Sequence, residues 1–70
     1  MSKEKAGEFN ASLLRSRCAE LKLSNEELAS RVGKSKITIS LWKNGKSKPG
    51  WMDLPKLGKA LGVDYHNFII

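Results

Sequence analysis

Few side chains in this 70-residue sequence have the type and spacing that catalysis or metal binding requires. Cys18 and His66 are the only cysteine and the only histidine, and no nucleophile–base spacing is present. His66 has no cysteine, histidine or paired acid at ligand spacing, and we interpret it as an exposed helix residue. The letters GKS at 33–35 are a fragment of a phosphate-binding loop without the rest of its pattern. We therefore expect no enzyme activity, no metal, no cofactor and no small-molecule ligand.

The side chains that could do chemistry lie in residues 33–50, GKSKITISLWKNGKSKPG. Wound as a helix at about 100° per residue, this stretch places Ile39 and Trp42 on one face, as expected for a buried stripe. The opposite face carries two polar and two branched apolar side chains: Lys36, Ile37, Ser40 and Leu41. This outer apolar pair indicates a face that meets a partner. The alternatives are packing against residues 46–52 and a dimer seam.

Positive charge is concentrated in the same part of the sequence. The chain has 13 Lys and Arg residues against 7 Asp and Glu, a formal charge of +6. Between residues 31 and 50 there are six basic residues and no acidic one: Arg31, Lys34, Lys36, Lys43, Lys46 and Lys48. A one-sided positive segment of this kind is typical of a polyanion-binding protein. The alternative is a solvated lysine face.

Length and composition predict one domain with a single apolar core. A chain of 70 residues, 40% of them hydrophobic, is near the lower size for such a core and leaves no volume for a deep cleft. No apolar run approaches the ~18 residues of a membrane span, and the N-terminus has no signal-peptide pattern. The single cysteine excludes an intramolecular disulfide. These features predict that the protein is located in the reducing cytoplasm.

The elements that must position these side chains begin after a short arm. Residues 1–6 carry Lys3 and Lys5 and are predicted to form a flexible basic arm, and residues 7–70 form the domain. Apolar residues at spacings of three and four predict a first helix from about Glu8 to Lys22. A capping box, Ser24 to Glu27, then opens a second helix that runs to about Val32.

Three more helices are predicted from local signals. Gly33 ends the second helix, Ser35 caps a third that runs to about Lys43, and Asn44-Gly45 ends it because both residues tolerate positive φ. Asp53 is predicted to cap a fourth helix that ends near Gly62, and Asp64 to cap a short fifth helix. The predicted fold class is therefore all-α, a single compact domain of five short helices.

The residues between the second and third helices carry a specific pattern. About three residues separate the helices, with Ala29 at the predicted contact, Gly33 four later, Ile39 six after that and Trp42 three further on. The segment LSNEELASRVGKSKITISLWKNGKSKP resembles the helix-turn-helix of the lambda-type phage repressor and Cro (XRE) family. LPKLGKALGVDYHNFI resembles that family's fourth and fifth helices. The resemblance covers roughly residues 10 to 69.

This resemblance implies which side chains meet DNA. The third helix lies in the major groove in such proteins. The positions that match base contacts are Lys36, Ile37, Ser40, Leu41 and Asn25. The positions that match phosphate contacts are Ser24, Lys34, Ser35, Lys43, Asn44, Lys46, Ser47 and Lys48, together with backbone amides around residues 46–50. Many family members have glutamines on the outer face, so their operators do not predict this one.

The residue types on the outer face of the third helix predict which bases it contacts. Ile37 and Leu41 can pack against thymine C5-methyl groups, and Lys36 can donate to guanine O6 and N7. The alternative for Lys36 is a phosphate contact without base preference. Arg15, Arg17 and Arg31 are interpreted as solvated, with a phosphate contact as the alternative for Arg31.

The resemblance implies a transcriptional regulator that binds a pseudo-palindromic double-stranded operator as a weak homodimer and blocks transcription in a bacterial cell, from a phage or prophage gene. Candidate dimer contacts are Trp51, Phe68 and Ile69. Trp51 has two alternative roles, filling a gap under the fourth helix or stacking near the sugar-phosphate backbone. The alternative functions are the antitoxin of a toxin–antitoxin pair, with autoregulatory DNA binding, and the controller of a restriction–modification system.

Overall fold

The computed structural model describes residues 9–69. Within this range the chain forms four α-helices: α1 (Ala11–Leu21), α2 (Asn25–Val32), α3 (Lys36–Lys43) and α4 (Asp53–Leu61). A 3₁₀ helix, Tyr65–Phe68, follows α4. The predicted all-α class is confirmed, and the prediction of five helices is corrected to four α-helices and one 3₁₀ turn. The predicted basic arm, residues 1–6, lies outside the described residues.

The last turn is a 3₁₀ helix because its hydrogen bonds join residues three apart. The Asn67 amide donates to the Asp64 carbonyl at 3.0 Å, and the Ile69 amide donates to the His66 carbonyl at 3.1 Å. Asp64 caps this turn as predicted, since its Oδ1 accepts from the His66 amide. After four residues the backbone extends, and Ile69 pairs with Phe9 in an isolated antiparallel bridge.

This pairing also corrects the predicted start of the first helix. The helix begins at Ala11 and not near Glu8, which itself lies outside the described residues. Asn10 is the cap: its Oδ1 accepts from the Leu13 amide at 3.1 Å, while its own amide donates to the Phe68 carbonyl at 2.6 Å. The backbone of Phe9 and Asn10 therefore pairs with the C-terminal segment, and the helix starts only after it.

The connections around α2 and α3 form as predicted. Ser24 Oγ accepts from the Glu27 amide at 3.0 Å, and Glu27 Oε1 accepts from the Ser24 amide at 2.9 Å, which completes the capping box. The hydrogen bonds from the Ser24 amide and hydroxyl lower the pKa of the Glu27 carboxyl. Gly33 ends α2 in the left-handed conformation, with φ of 74°. Ser35 Oγ caps α3 by accepting from the Thr38 amide at 3.2 Å.

Two expectations about the segment between α3 and α4 are corrected. Gly45 adopts positive φ (73°), but Asn44 does not (φ −91°), so the turn needs only the glycine. Asp53 is the first residue of α4 and not its cap, because a turn that closes from the Asp53 amide to the Gly50 carbonyl precedes the helix. The Asp53 carboxylate instead accepts from the Gly50 amide at 3.4 Å.

The core lies between the four helices and the 3₁₀ turn. Eleven apolar side chains are buried in it: Leu14, Cys18, Leu28, Ala29, Val32, Ile39, Trp42, Leu54, Leu57, Leu61 and Phe68. The predicted core position of Trp42 is confirmed, and Cys18 is buried on α1. Burial raises the pKa of the Cys18 thiol, and the positive charge of Lys43 acts in the opposite direction. The thiol is therefore protonated at neutral pH and packs as a small apolar group.

Gly58 is the point where the chain after α4 packs directly on that helix. A Cβ at residue 58 would lie 2.7 Å from the carbonyl oxygen of Val63 and 3.1 Å from the backbone nitrogen of Tyr65. Because both atoms belong to the backbone, we expect Gly58→Ala to lower the free energy of unfolding by about 1–3 kcal/mol. Urea unfolding followed by circular dichroism measures this change.

The neighbouring exposed residue provides the control for this prediction. Lys59→Ala leaves the backbone contact intact and should change the free energy of unfolding by less than about 0.5 kcal/mol. If Gly58→Ala were as stable as the unmodified protein, the close approach of residues 63–65 to α4 would be wrong.

Candidate nucleic-acid interface

The outer face of α3 exposes the apolar pair seen in the sequence. Ile37 is 69% exposed and Leu41 is 38% exposed, whereas Ile39 and Trp42 of the same helix are buried. Lys36 is exposed beside them, and Ser40 is half-buried. Since Ile37 retains most of its surface, the alternative in which it packs against residues 46–52 does not hold. The structure thus brings the four predicted base-contacting side chains of α3 to one face.

The start of α3 is held by contacts on both sides of the turn. The Lys34 amide donates to the Ala29 carbonyl at 2.9 Å, and Ser35 Oγ lies 3.0 Å from Thr38 Oγ1. The ammonium of Lys34 lies 3.5 Å from the carboxylate of Asp53. Lys34, predicted as a phosphate contact, is thus ion-paired with α4 in the structure described, and Ser35 serves as the cap.

The side chain of Asn25, at the start of α2, makes a contact within the protein that the sequence did not indicate. Asn25, predicted to meet DNA, accepts a hydrogen bond at its Oδ1 from Lys43 Nζ at 2.6 Å. Lys43, predicted as a phosphate contact, is half-buried and directed at α2. Ser24 uses its hydroxyl oxygen in the capping box. No sequence signal identifies the Lys43–Asn25 contact, because the two residues are 18 positions apart.

The loop after α3 presents basic side chains around a shallow concavity of about 400 Å³, lined by Phe9, Gly45, Lys46, Ser47 and Lys48. Residues 44–48 are all exposed. Three of the backbone amides predicted to bind phosphate are engaged within the protein. Those of Lys46 and Ser47 donate to the Leu41 carbonyl at 3.0 and 3.4 Å, and that of Gly50 donates to Asp53. The side chains and not these amides are therefore available from this loop.

A profile of the helix-turn-helix family matches residues 14–66, which is more than half of the chain. The chain belongs to the XRE-type helix-turn-helix family. This membership confirms the predicted family and supports the coarse role of a DNA-binding transcription regulator. A comparison of the sequence with curated proteins found no match.

Solved structures similar to this helix-turn-helix protein fall into two kinds. The P22 c2 repressor in complex with synthetic operator 9T has a TM-score of 0.83 and 28% identity, over 87% of this chain and 92% of that one. The solution structure of the DNA-binding domain of the same repressor has a TM-score of 0.80 and 28% identity, over 86% and 79%. Hydroxypropylphosphonic acid epoxidase from S. wedmorenis has a TM-score of 0.79 and 25% identity, over 94% of this chain but 35% of the enzyme.

Two arginines of the helix-turn-helix protein have roles that sequence reasoning missed. Arg15 Nη1 donates to the carbonyl of Lys43, the last residue of α3. Arg17 donates from Nε and Nη2 to the carbonyl of Leu61, the last residue of α4, at 3.1 and 2.7 Å, and also pairs with Glu20. Both were interpreted as solvated: Arg15 is exposed as predicted although it makes this contact, whereas Arg17 is half-buried and the interpretation is wrong for it. Each guanidinium donates to a carbonyl that accepts no hydrogen bond within its own helix.

The predicted dimer contacts separate into exposed and buried residues. Trp51 is 76% exposed, which excludes the alternative that it fills a gap under α4, and Ile69 is half-buried. Both line a concavity of about 270 Å³ together with Lys48, Pro49, Gly50 and Leu54. Phe68 is 0% exposed and stacks on Phe9 with ring centroids 5.5 Å apart. The prediction that Phe68 contacts a second subunit is corrected, because its side chain is fully buried within the domain.

The remaining chemical groups lie away from α3. His66 is exposed as predicted, but it does have a paired acid: its Nδ1 lies 2.8 Å from Asp64 Oδ1, and this contact contributes to the lowered pKa of the Asp64 carboxyl. Among residues 9–69, no group of three or more His, Cys, Asp and Glu side chains could hold a metal ion. None of the helices in that range has the length and apolar character needed to cross a membrane.

Proposed function

We propose that this protein is a sequence-specific repressor of transcription, of the phage Cro or repressor type, that places α3 in the major groove of double-stranded DNA. The observation that carries the proposal is the outer face of α3. An eight-residue helix that buries Ile39 and Trp42 also exposes Ile37 and Leu41, and it does so within the basic segment of residues 31–50. The similarity to a repressor solved with its operator supports this placement.

The exposed face of α3 is suited to reading guanine and thymine. In the groove, Ile37 and Leu41 are buried against thymine C5-methyl groups, and Lys36 donates to guanine O6 and N7. Ser40, which is half-buried, contacts either kind of base. The apolar pair therefore changes from exposed in the free protein to buried in the complex, which accounts for its position on the outer face.

Phosphate contacts supply most of the affinity. Asn44, Lys46, Ser47 and Lys48 stand exposed at the end of α3 and approach the DNA backbone together with Ser35 at its start. Contacts at both ends of α3 fix the register of the helix in the groove without reading sequence. Lys34 reaches phosphate once the duplex competes with its partly exposed ion pair to Asp53.

The active species is a weak homodimer that forms at least on DNA. Trp51 and Ile69 line the same apolar concavity, so a second subunit that packs there covers both residues. Two copies of α3 then occupy successive major grooves about 34–36 Å apart and read a pseudo-palindromic site. A bound dimer blocks the promoter that overlaps its site. The cellular compartment that fits this role is the bacterial cytoplasm.

Residues 9–69 act by binding and not by catalysis. The likeness to the epoxidase covers 35% of that enzyme, so about two thirds of its chain has no counterpart in the match. What the repressor and the epoxidase can have in common with this chain is therefore limited to the helix-turn-helix fold.

Selection from a random double-stranded DNA library tests the proposal directly. We expect enrichment of a motif with two-fold symmetry whose half-sites are centred one helical turn apart. Selection with Lys36→Ala, Ser40→Ala and Leu41→Ala proteins identifies the base pair that each side chain reads. If the unmodified protein enriched no motif and bound every duplex equally, the proposal that α3 reads sequence would be refuted.

Replacement of single thymines by deoxyuridine tests the contact of Ile37 with a methyl group. Deoxyuridine pairs as thymine does but has no C5-methyl, so each contacted position should lose about 0.8 kcal/mol, or about four-fold in Kd. Because both protomers of the dimer change at once, Ile37→Ala should lose about twice this amount on the unmodified site, and little more on a site with deoxyuridine at the matching position of both half-sites, where both contacts are already absent. Fluorescence anisotropy with labelled duplexes measures all four combinations.

The exposed apolar side chain on α1 provides the control. Leu21 is 43% exposed and lies outside α3, so Leu21→Ala should leave the deoxyuridine effect unchanged. Equal deoxyuridine losses for the Ile37→Ala and unmodified proteins at every position would show that Ile37 does not meet a thymine methyl.

A further inference from the structure

A continuous link of hydrogen bonds joins α1, α3 and α2 at the end of α3. Arg15 of α1 donates to the carbonyl of Lys43, and Lys43 Nζ donates to Oδ1 of Asn25, the first residue of α2. This Arg15–Lys43–Asn25 link therefore passes through the last residue of the helix that carries the base-contacting face. It joins positions that are 28 and 18 residues apart in the sequence.

Lys43 is directed into the helix junction and not towards the exposed face. Its side chain is half-buried, and its ammonium lies 2.6 Å from Asn25 Oδ1. Burial raises the pKa of the Cys18 thiol on α1, and the positive charge of Lys43 acts against that increase. The carbonyl of the same residue is one of the last four in α3, which have no intrahelical donor and carry the negative end of the helix dipole. The Arg15 guanidinium supplies both a donor and a positive charge at that carbonyl.

The short length of α3 makes its two end contacts decisive for its orientation. A helix of eight residues is about 12 Å long and is not stable by itself in water. Its start is held by the Gly33 turn and the Ser35 cap, whereas its last turn is held by Trp42 in the core and by the Arg15–Lys43–Asn25 link. Loss of the link leaves the start of α3 in place and leaves its last turn held by Trp42 alone, so that the turn can shift.

We propose that Arg15 is a positioning residue for operator recognition. By binding the Lys43 carbonyl it holds the last turn of α3 against α2, so that the outer face enters the groove in one orientation. Arg15 contacts neither base nor phosphate in this role. The inference rests on the proposed function, since it assumes that α3 reads DNA.

The chain contains a matched control for this role. Arg17 lies two residues further along α1, about 200° around the helix axis, and donates to the Leu61 carbonyl at the end of α4. It performs the same capping at a helix that carries no predicted base contact. Arg15→Ala removes one hydrogen bond to the end of α3, whereas Arg17→Ala removes two to the end of α4 and the pair with Glu20, so the control is the larger perturbation and only Arg15→Ala acts on α3.

The test compares the two variants on DNA and free in solution. For Arg15→Ala we expect Kd for the selected operator to rise about ten-fold or more, the loss expected for one hydrogen bond to a charged group. Kd for a random duplex should stay within about two-fold, with the same salt dependence, because no phosphate contact is removed. Arg17→Ala should leave the ratio of the two Kd values unchanged. Arg15→Lys, which retains a charged donor, should restore most of the ratio.

Amide hydrogen exchange gives a readout that does not involve DNA. The Asn44 amide donates to the Ser40 carbonyl at the end of α3, and the Val63 amide donates to the Gly58 carbonyl at the end of α4. We expect Arg15→Ala to accelerate exchange at Asn44 and Arg17→Ala to accelerate exchange at Val63. Thermal unfolding of each variant tests whether the changes in exchange are local or reflect a loss of global stability.

Three results would overturn the inference. An unchanged operator-to-random ratio in Arg15→Ala, with the unmodified protein still selecting an operator, refutes the positioning role alone. Equal losses on both duplexes, with a salt slope reduced by about 0.9 for each phosphate that is no longer neutralised, would show that Arg15 binds phosphate. An unmodified protein that selects no operator refutes the proposed function and the recognition role of Arg15 with it, while exchange at Asn44 still reports whether Arg15 holds α3.

Discussion

Affinity for the operator should fall by about 10³- to 10⁵-fold when the salt concentration is raised from about 50 to about 200 mM. If each protomer makes about three to five phosphate contacts, the dimer makes about six to ten, and each releases counterions from the duplex. The exposed residues of the basic segment, among them Lys34, Lys46 and Lys48, account for these contacts. Anisotropy titrations at five salt concentrations give the slope of log K against log salt.

Variants of exposed lysines assign this salt dependence to the basic segment. Lys46→Ala should reduce the slope by about 0.9 for each phosphate that it leaves without a lysine, hence by about 1.8 in a symmetric dimer. Lys56 is an exposed lysine on α4 outside the segment, so Lys56→Ala should leave the slope unchanged. A slope near zero for the unmodified protein, or equal effects of the two variants, would contradict phosphate binding by the loop after α3.

Phe68→Ala is expected to unfold most of the protein at 37 °C. The side chain is 0% exposed, packs in the core and stacks on Phe9, so its truncation should cost about 3–5 kcal/mol. At about 0.05–0.15 kcal/mol per residue, a domain of this size has a total stability of only about 4–10 kcal/mol. Circular dichroism and urea titration measure the loss at a protein concentration low enough to keep the chain monomeric.

The exposed dimer candidate distinguishes this effect from a loss of association. Trp51 is 76% exposed, so Trp51→Ser should leave the free energy of unfolding of the monomer nearly unchanged and weaken dimerisation on DNA. Sedimentation with and without operator measures the second effect. If Phe68→Ala were folded, stable and monomeric, residue 68 would belong to a subunit contact and its placement in the core would be wrong.

The two ends of α2 could be predicted from the sequence because their signals are local. Ser24 and Glu27 are three residues apart and satisfy each other, and Gly33 meets a requirement for positive φ that few other residues fulfil. The face of α3 also follows from helical periodicity alone, which is why Ile37 and Leu41 were placed correctly. Features that depend only on a few consecutive residues were predictable.

The features that were missed connect residues far apart in the sequence. Periodicity places Arg15 and Arg17 outside the core of α1, and only the packing of α3 and α4 beside α1 brings their guanidinium groups to helix ends 28 and 44 residues away. Phe68 was assigned to a dimer because nothing in a four-residue turn shows which side faces the core. The contact of Lys43 was missed for the same reason. Its charge suggests a surface role, and its hydrogen bond to Asn25 depends on how α2 and α3 cross.

The bridge between Phe9 and Ile69 has a consequence for folding during synthesis. The Asn10 amide, which precedes α1, finds its acceptor in the Phe68 carbonyl beyond α4, and Phe68 also completes the core. The four α-helices therefore leave the ribosome before the residue that closes them is available. Until the segment through Ile69 is available, the helices lack the side chain that completes their core, so we expect the domain to fold as one cooperative unit only after that segment has emerged.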